Sequence, residues 1–96
     1  MGPKTQELLH ILQLIISILE SDKETHWLAW MKQVKFRIEA SDYSGVEKLL
    51  LAYGGMGSFN DFYLRKITKE NSNFSELQSK AWELATAIKH SYESST

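Results

Sequence analysis

The sequence predicts an all-α fold: a compact bundle of four main helices with a glycine-rich loop and a short irregular segment. Apolar residues recur at intervals of three and four along most of the chain, which is the spacing of a helix face. No segment alternates as a half-buried strand does. A chain of 96 residues buries roughly 60–65% of its unfolded surface, which suits one core. We therefore expect residues 1–96 to form a single helical domain, with residues 93–96 as a frayed tail.

The first predicted helix runs from about Thr5, as its N-cap, to Glu20. Residues 8–19 are the most apolar stretch of the chain. The only polar positions in that stretch are His10, Gln13 and Ser17. They lie on one narrow stripe of a helix, so we expect this helix at the centre of the bundle. The stretch is well short of the ~20 residues that span a bilayer, and it lacks the flanks of a signal peptide.

Two shorter helices are predicted next. The second begins near Thr25, and its apolar side is formed by Trp27, Trp30, Met31, Val34 and Ile38. The third is predicted over residues 46–53, after a capping box in which Ser44 and Glu47 satisfy each other's amides. The last helix is the most regular, with a capping box from Asn73 and Glu76 before it. Its apolar side comprises Phe74, Leu77, Ala81, Leu84, Ala85, Ile88 and Tyr92.

A glycine-rich segment follows the third helix and contains Gly54, Gly55, Gly57 and Ser58. Phosphate-binding loops of similar composition follow a strand and precede a helix, whereas this segment follows a helix. We interpret it as a structural connection whose glycines permit positive φ, with contact to a partner or a ligand as the alternatives. Residues 58–61 predict a single helical turn, and residues 62–72 show no regular pattern.

The sequence predicts no catalytic residue, no cofactor site and no metal site. His10, His26 and His90 fall on three separate helices without the spacing of metal ligands. His26 lies at a helix start, four residues before Trp30, so we expect its ring to have a packing role. An enzyme would require His10 or His26 to meet Asp61 or Glu47 in a cleft. Zero cysteines exclude a thiolate site and fit a reducing cytoplasm.

Composition also limits the partners. The balance of 11 basic and 12 acidic residues argues against direct nucleic-acid binding, and no membrane contact is predicted. Trp27, Trp30 and Trp82 fall on or beside apolar stripes, so we expect them to be mostly buried, and any that stay exposed are candidate interface residues. Two acidic or polar pairs near turns are the candidate partner-binding residues, Asp22, Glu24, Asn60 and Asp61. A capping role is the alternative for Asn60 and Asp61.

Residues 43–50, YSGVEKLL, and residues 52–61, AYGGMGSFND, carry a family resemblance. Together with the upstream tryptophans, they resemble the signature of a small bacterial family catalogued as a domain of unknown function, over about residues 8–64. Helical bacterial proteins of this size without catalytic groups are similar to immunity proteins, the antitoxins of contact-dependent growth inhibition. The resemblance implies a non-enzymatic protein that binds and occludes a cognate toxin, such as a nuclease. The alternative is a homodimeric regulatory or structural adaptor, because the apolar first helix needs extensive cover.

Overall fold

Four α-helices form the bundle that the sequence predicts. The computed structural model describes residues 2–54, 57–65, 67–69 and 71–94, and within these it contains no strand. The helices are α1 (Pro3–Ser21), α2 (Thr25–Glu39), α3 (Ser44–Leu51) and α4 (Phe74–Ser94), and a single 3-10 turn (Phe59–Asp61) follows α3. α1 packs against α2 and α4, and α3 packs against the same two helices. Each helix therefore buries its apolar side against two neighbours.

The prediction that α1 is the central helix was wrong, because α1 packs against two neighbours, as α3 does. One side of α1 nevertheless forms a large part of the core. Leu8, Leu12, Ile15 and Leu19 are completely buried. In the described part of the chain, no helix is long and apolar enough to cross a membrane. The prediction that Thr5 is the N-cap was wrong, because the helix begins at Pro3. Proline suits the first helical position, where its fixed φ is already helical and its missing N–H costs nothing.

α3 begins two residues earlier than predicted, and its cap is different. The carboxylate of Asp42 accepts the backbone N–H of Ser44 at 2.9 Å, whereas the amide of Glu47 donates to the carbonyl of Tyr43 at 3.3 Å. The predicted capping box of Ser44 and Glu47 was therefore wrong, since Ser44 lies inside the helix. Hydrogen bonds from the hydroxyl and amide of Ser44, and then the charge of Arg37, lower the pKa of Asp42.

α2 and α3 cross at close range because Gly45 lies between them. A Cβ added to Gly45 would lie 2.8 Å from Cγ1 of Ile38 and 2.9 Å from Cβ of Arg37. Real Cβ atoms do not approach other atoms so closely, so the two helices pack at this distance only because residue 45 lacks a side chain.

α4 begins and ends near the predicted positions. Within the described residues, neither Asn73 nor Glu76 makes a side-chain hydrogen bond, and the predicted capping box is absent; backbone carbonyls of Asn71 and Asn73 accept the first amides instead. The helix continues to Ser94, so residues 93–94 are helical, and residues 95–96 of the expected tail lie outside the described residues. Near this end, the ring of Tyr92 stacks on that of Tyr43 at 3.8 Å.

The segment after α3 closes one end of the bundle. Gly54 and Gly57 have φ of 90° and 79°, which agrees with the structural interpretation of the glycine-rich loop, while Gly55 lies outside the described residues.

The 3-10 turn confirms the predicted helical turn, and its Phe59 is completely buried. The rings around Phe59 belong to Trp27, Tyr53, Phe62 and Phe74, with centroids 5.1 to 6.3 Å away. We call this end, formed by residues 22–24, residues 57–65 and the first turn of α4, the capped end.

Candidate functional site

The four residues predicted to contact a partner all lie at the capped end: Asp22, Glu24, Asn60 and Asp61. Two contacts join the segments that carry them. The carboxylate of Asp22 accepts the backbone N–H of Arg65 at 3.1 and 3.2 Å. The ring of Trp27, at the start of α2, lies 5.1 Å from that of Phe59 in the 3-10 turn. The fold therefore brings together two pairs that are far apart in the sequence.

The side chains of three of these four residues also make hydrogen bonds within the fold. Besides the bond from Asp22 to Arg65, the Glu24 carboxylate accepts the N–H of His26 at 3.1 Å and caps α2. Oδ1 of Asn60 accepts the N–H of Gly54 at 3.2 Å and also bonds the Ser58 hydroxyl. By contrast, Asp61 is exposed. Its carboxylate has no hydrogen-bond or ion-pair partner among the residues that the structure describes. The contact of all four residues with a partner stays a prediction. Asp61 is the one whose side chain makes no bond to the described residues of the fold.

A pocket of about 500 Å³ opens beside the 3-10 turn, between α4 and the end of α3. Its lining consists of Tyr53, Gly54, Asn60, Ser75, Gln78, Ser79, Trp82 and Glu83. We call it the Trp82 pocket.

Hydrogen bonds tie both walls of the Trp82 pocket to each other. The hydroxyl of Tyr53 donates to the backbone carbonyl of Gln78 at 2.7 Å. The side-chain amide of Gln78 donates to the carbonyl of Phe59 at 2.7 Å and to that of Phe62 at 3.4 Å. Burial raises the pKa of Tyr53, so its hydroxyl stays neutral. These bonds fix α4 against the 3-10 turn and keep the shape of the pocket.

The three tryptophans have different environments. Trp27 is buried, and Trp30 is half-buried, with its indole N–H donating to the carbonyl of Lys48 at 3.2 Å. The Lys48 ammonium lies 3.9 Å from the centroid of the Trp30 ring. All three tryptophans were predicted to be mostly buried. Trp82 departs from that prediction, because it is 45% exposed. In the described part of the chain it makes no hydrogen bond or ring contact.

The sequence named Trp82 as an interface candidate only in case it stayed exposed, and it did not predict which tryptophan would do so. Trp82 directly follows Ala81 on α4, one position away from the buried stripe. That offset was the available signal, because a residue next to a core position lies partly on the outer face of its helix.

A second, smaller pocket adjoins the first. It has a volume of about 340 Å³ and shares Tyr53, Gly54 and Trp82 with it. Its remaining lining residues, Leu50, Thr86 and Lys89, include a cation. Trp82 thus lines both the pocket that contains Glu83 and the pocket that contains Lys89.

The three histidines lie at exposed positions on three different helices. The ring of His26 packs edge-on against Trp27 at 4.7 Å, which confirms the packing interpretation of this histidine. No histidine side chain bonds a carboxylate among the residues placed by the structure. Nor do these residues contain a group of three or more His, Cys, Asp or Glu side chains able to bind a metal ion.

The geometry defines a small helical domain whose exposed features are a capped end and an aromatic pocket. The chain belongs to the family described as a domain of unknown function, DUF6966, whose sequence profile matches residues 20–71. This confirms the expected membership of a family of unknown function. The match begins later than expected, near the end of α1, and continues through the irregular segment to residue 71. No curated protein and no solved structure matches the chain significantly.

Proposed function

We propose that this domain is a non-enzymatic binding protein that acts as an immunity protein, neutralising a cognate toxin by covering its active surface with the capped end and the Trp82 pocket. The exposure of Trp82 is the observation that carries the proposal. A tryptophan that is 45% exposed beside a pocket is a typical central residue of a protein interface. Burying its remaining surface against a partner would gain hydrophobic free energy.

Charge at the capped end supports a basic partner. Among the described residues of this end, four carboxylates outnumber two cations: Asp22, Glu24, Asp61 and Glu76 against Lys23 and Arg65. Glu83 lines the adjoining pocket, and Asp61 is exposed without a partner among the described residues. Carboxylates around an aromatic centre favour rapid, specific association with a positive surface. Nuclease toxins present such a surface because their active sites bind phosphates.

The homodimeric adaptor is the second candidate. The argument that the apolar first helix needs a second copy as cover is weakened, because α2 and α4 already cover the apolar side of α1. Two other side chains favour it, since Phe36 is 72% exposed and Leu51 is 76% exposed. Light scattering at low micromolar concentration separates the candidates. A stable dimer supports the adaptor, and a monomer contradicts it.

Co-expression with the protein encoded immediately upstream tests the proposed function. We expect the domain to restore growth of cells that express this neighbour and to co-purify with it. Trp82→Ala should weaken binding at least tenfold, because interface tryptophans contribute about 2 kcal/mol or more. Phe36→Ala is the matched control, an exposed aromatic near the far end of α2 that should leave binding unchanged.

Circular dichroism should show equal helix content for both variants. Failure of the unsubstituted domain to bind or protect would contradict the immunity function. Equal loss of binding in Trp82→Ala and Phe36→Ala would contradict the location of the interface.

A further inference from the structure

We propose that the Trp82 pocket binds one arginine side chain of the partner protein. This inference rests on the proposed function and deepens it, because it names the group that the pocket recognises.

The charge of the pocket lining selects a cation. Among the eight described residues that line the pocket, Glu83 is the single charged side chain, and none is a lysine, arginine or histidine. It forms no ion pair with any residue that the structure describes. A carboxylate in a concave site favours a cationic group over a neutral group of the same shape.

The remaining lining residues suit a planar cation with several donors. Ser75, Ser79 and Glu83 are spaced by four residues on α4, so their oxygens lie along one face of the helix. The hydroxyl of Tyr53 uses its proton to bond Gln78, which leaves its oxygen as an acceptor. The indole of Trp82 adds an aromatic surface, on which a guanidinium packs favourably. Arginine offers five donors in one plane, whereas a lysine ammonium offers a compact charge without a planar surface.

The neighbouring pocket limits the occupant to one basic side chain. Lys89 lines that pocket together with Trp82. A second cation next to the first would therefore meet a like charge. We infer that the partner presents an isolated arginine at this position, flanked by neutral or acidic residues on the side of Lys89.

An NMR titration of the 15N-labelled domain with Nα-acetyl-arginine amide tests the inference without the partner. We expect saturable shifts of the Trp82 indole N–H and the Glu83 amide, with a Kd on the order of 1 mM, as for a weak ligand of this size. The probe Nα-acetyl-citrulline amide has nearly the same shape without the charge. It should bind at least tenfold more weakly.

Two charge-matched variants complete the test. Glu83→Gln should weaken arginine binding at least tenfold. Glu76→Gln removes the same charge from the same helix outside the pocket and should leave the Kd unchanged. Equal binding of arginine and citrulline, equal effects of the two variants, or no saturable shift would each overturn the inference.

The arginine titration and the co-expression assay test the two proposals independently. Failure of the titration leaves protection by the domain intact as evidence for the proposed function. Failure of protection, with selective arginine binding retained, overturns the immunity function but not the specificity of the pocket.

Discussion

Both carboxylate oxygens of Asp22 accept the backbone N–H of Arg65, at 3.1 and 3.2 Å. This contact joins the turn after α1 to the segment that follows the 3-10 turn, 43 positions further along the chain. Together with the bonds from Gln78 to Phe59 and Phe62, it fastens this irregular segment to the rest of the fold. Asp22 therefore contributes to the architecture of the capped end as well as to its charge.

Replacing Asp22 should cost stability, whereas replacing Asp61 should not. We expect Asp22→Ala to lower the free energy of unfolding by about 1 kcal/mol, the net value of one hydrogen bond. Asp61→Ala is the control, because this exposed carboxylate has no bond to the described residues; it should stay within about 0.5 kcal/mol of the parent. Urea unfolding measures both. Equal losses would show that Asp61 also has a structural role, and reduced partner binding by Asp61→Ala alone would identify it as an interface residue.

Gly45→Ala should destabilise the contact between α2 and α3. The new methyl would lie within 3 Å of Ile38 and Arg37, and overpacking of this kind costs about 1–3 kcal/mol. The gain in helix propensity from glycine to alanine offsets only ~1 kcal/mol. Glu47→Ala, at an exposed position of α3, should change stability little. Thermal unfolding of both variants checks the prediction, and a more stable Gly45→Ala protein would contradict it.

Phe59→Ala should be the most damaging substitution of the irregular segment. Phe59 is completely buried among aromatic rings, and truncation of such a side chain costs about 3–5 kcal/mol. Phe62, which is only partly buried, provides the comparison, because its replacement by alanine should cost less. Denaturant midpoints rank the two variants. The opposite order would show that the 3-10 turn does not organise the capped end.

The hydrogen bond between Asp42 and Ser44 at the start of α3 should make stability depend on pH in the acidic range. The bonds from Ser44, and then the charge of Arg37, lower the pKa of Asp42 in the folded protein. A group with a lowered folded pKa stabilises the protein above its unfolded pKa, and this contribution is lost as the pH falls through the folded value. Asp42→Asn should therefore be less stable than the parent at neutral pH, and the difference should shrink below about pH 4. Denaturant midpoints from pH 7 to pH 2 measure this difference, and a constant value would contradict the role of Asp42.

The regular helices could be predicted from the sequence because their burial follows a simple period. Leu8 and Ile15 on α1, and Leu77 and Leu84 on α4, are buried where the helical spacing places them. The caps were less predictable, since Asp42 and Ser44 are both good capping residues two positions apart. Which of them caps α3 depends on the path of the chain after α2, and the local sequence does not determine that path.

The candidate site could be predicted only in part, because it depends on contacts between distant segments. The burial of Phe59 requires Trp27 and Phe74 on either side of it, and no periodic pattern in residues 57–65 indicates this. The same contacts bring the pair Asp22 and Glu24 to the end of the bundle that carries Asn60 and Asp61. The exposure of Trp82 likewise depends on how other segments pack around α4, and the sequence of α4 alone does not determine that packing.

The unequal environments of the tryptophans give the molecule an optical reporter of its own. Trp27 is enclosed by the fold, so its emission shifts to longer wavelength when the chain unfolds. Trp82 already faces water at 45% exposure, so its emission changes little on unfolding but shifts to shorter wavelength when another molecule covers it. Tryptophan fluorescence of the unlabelled protein therefore distinguishes unfolding from complex formation by the direction in which the emission maximum shifts.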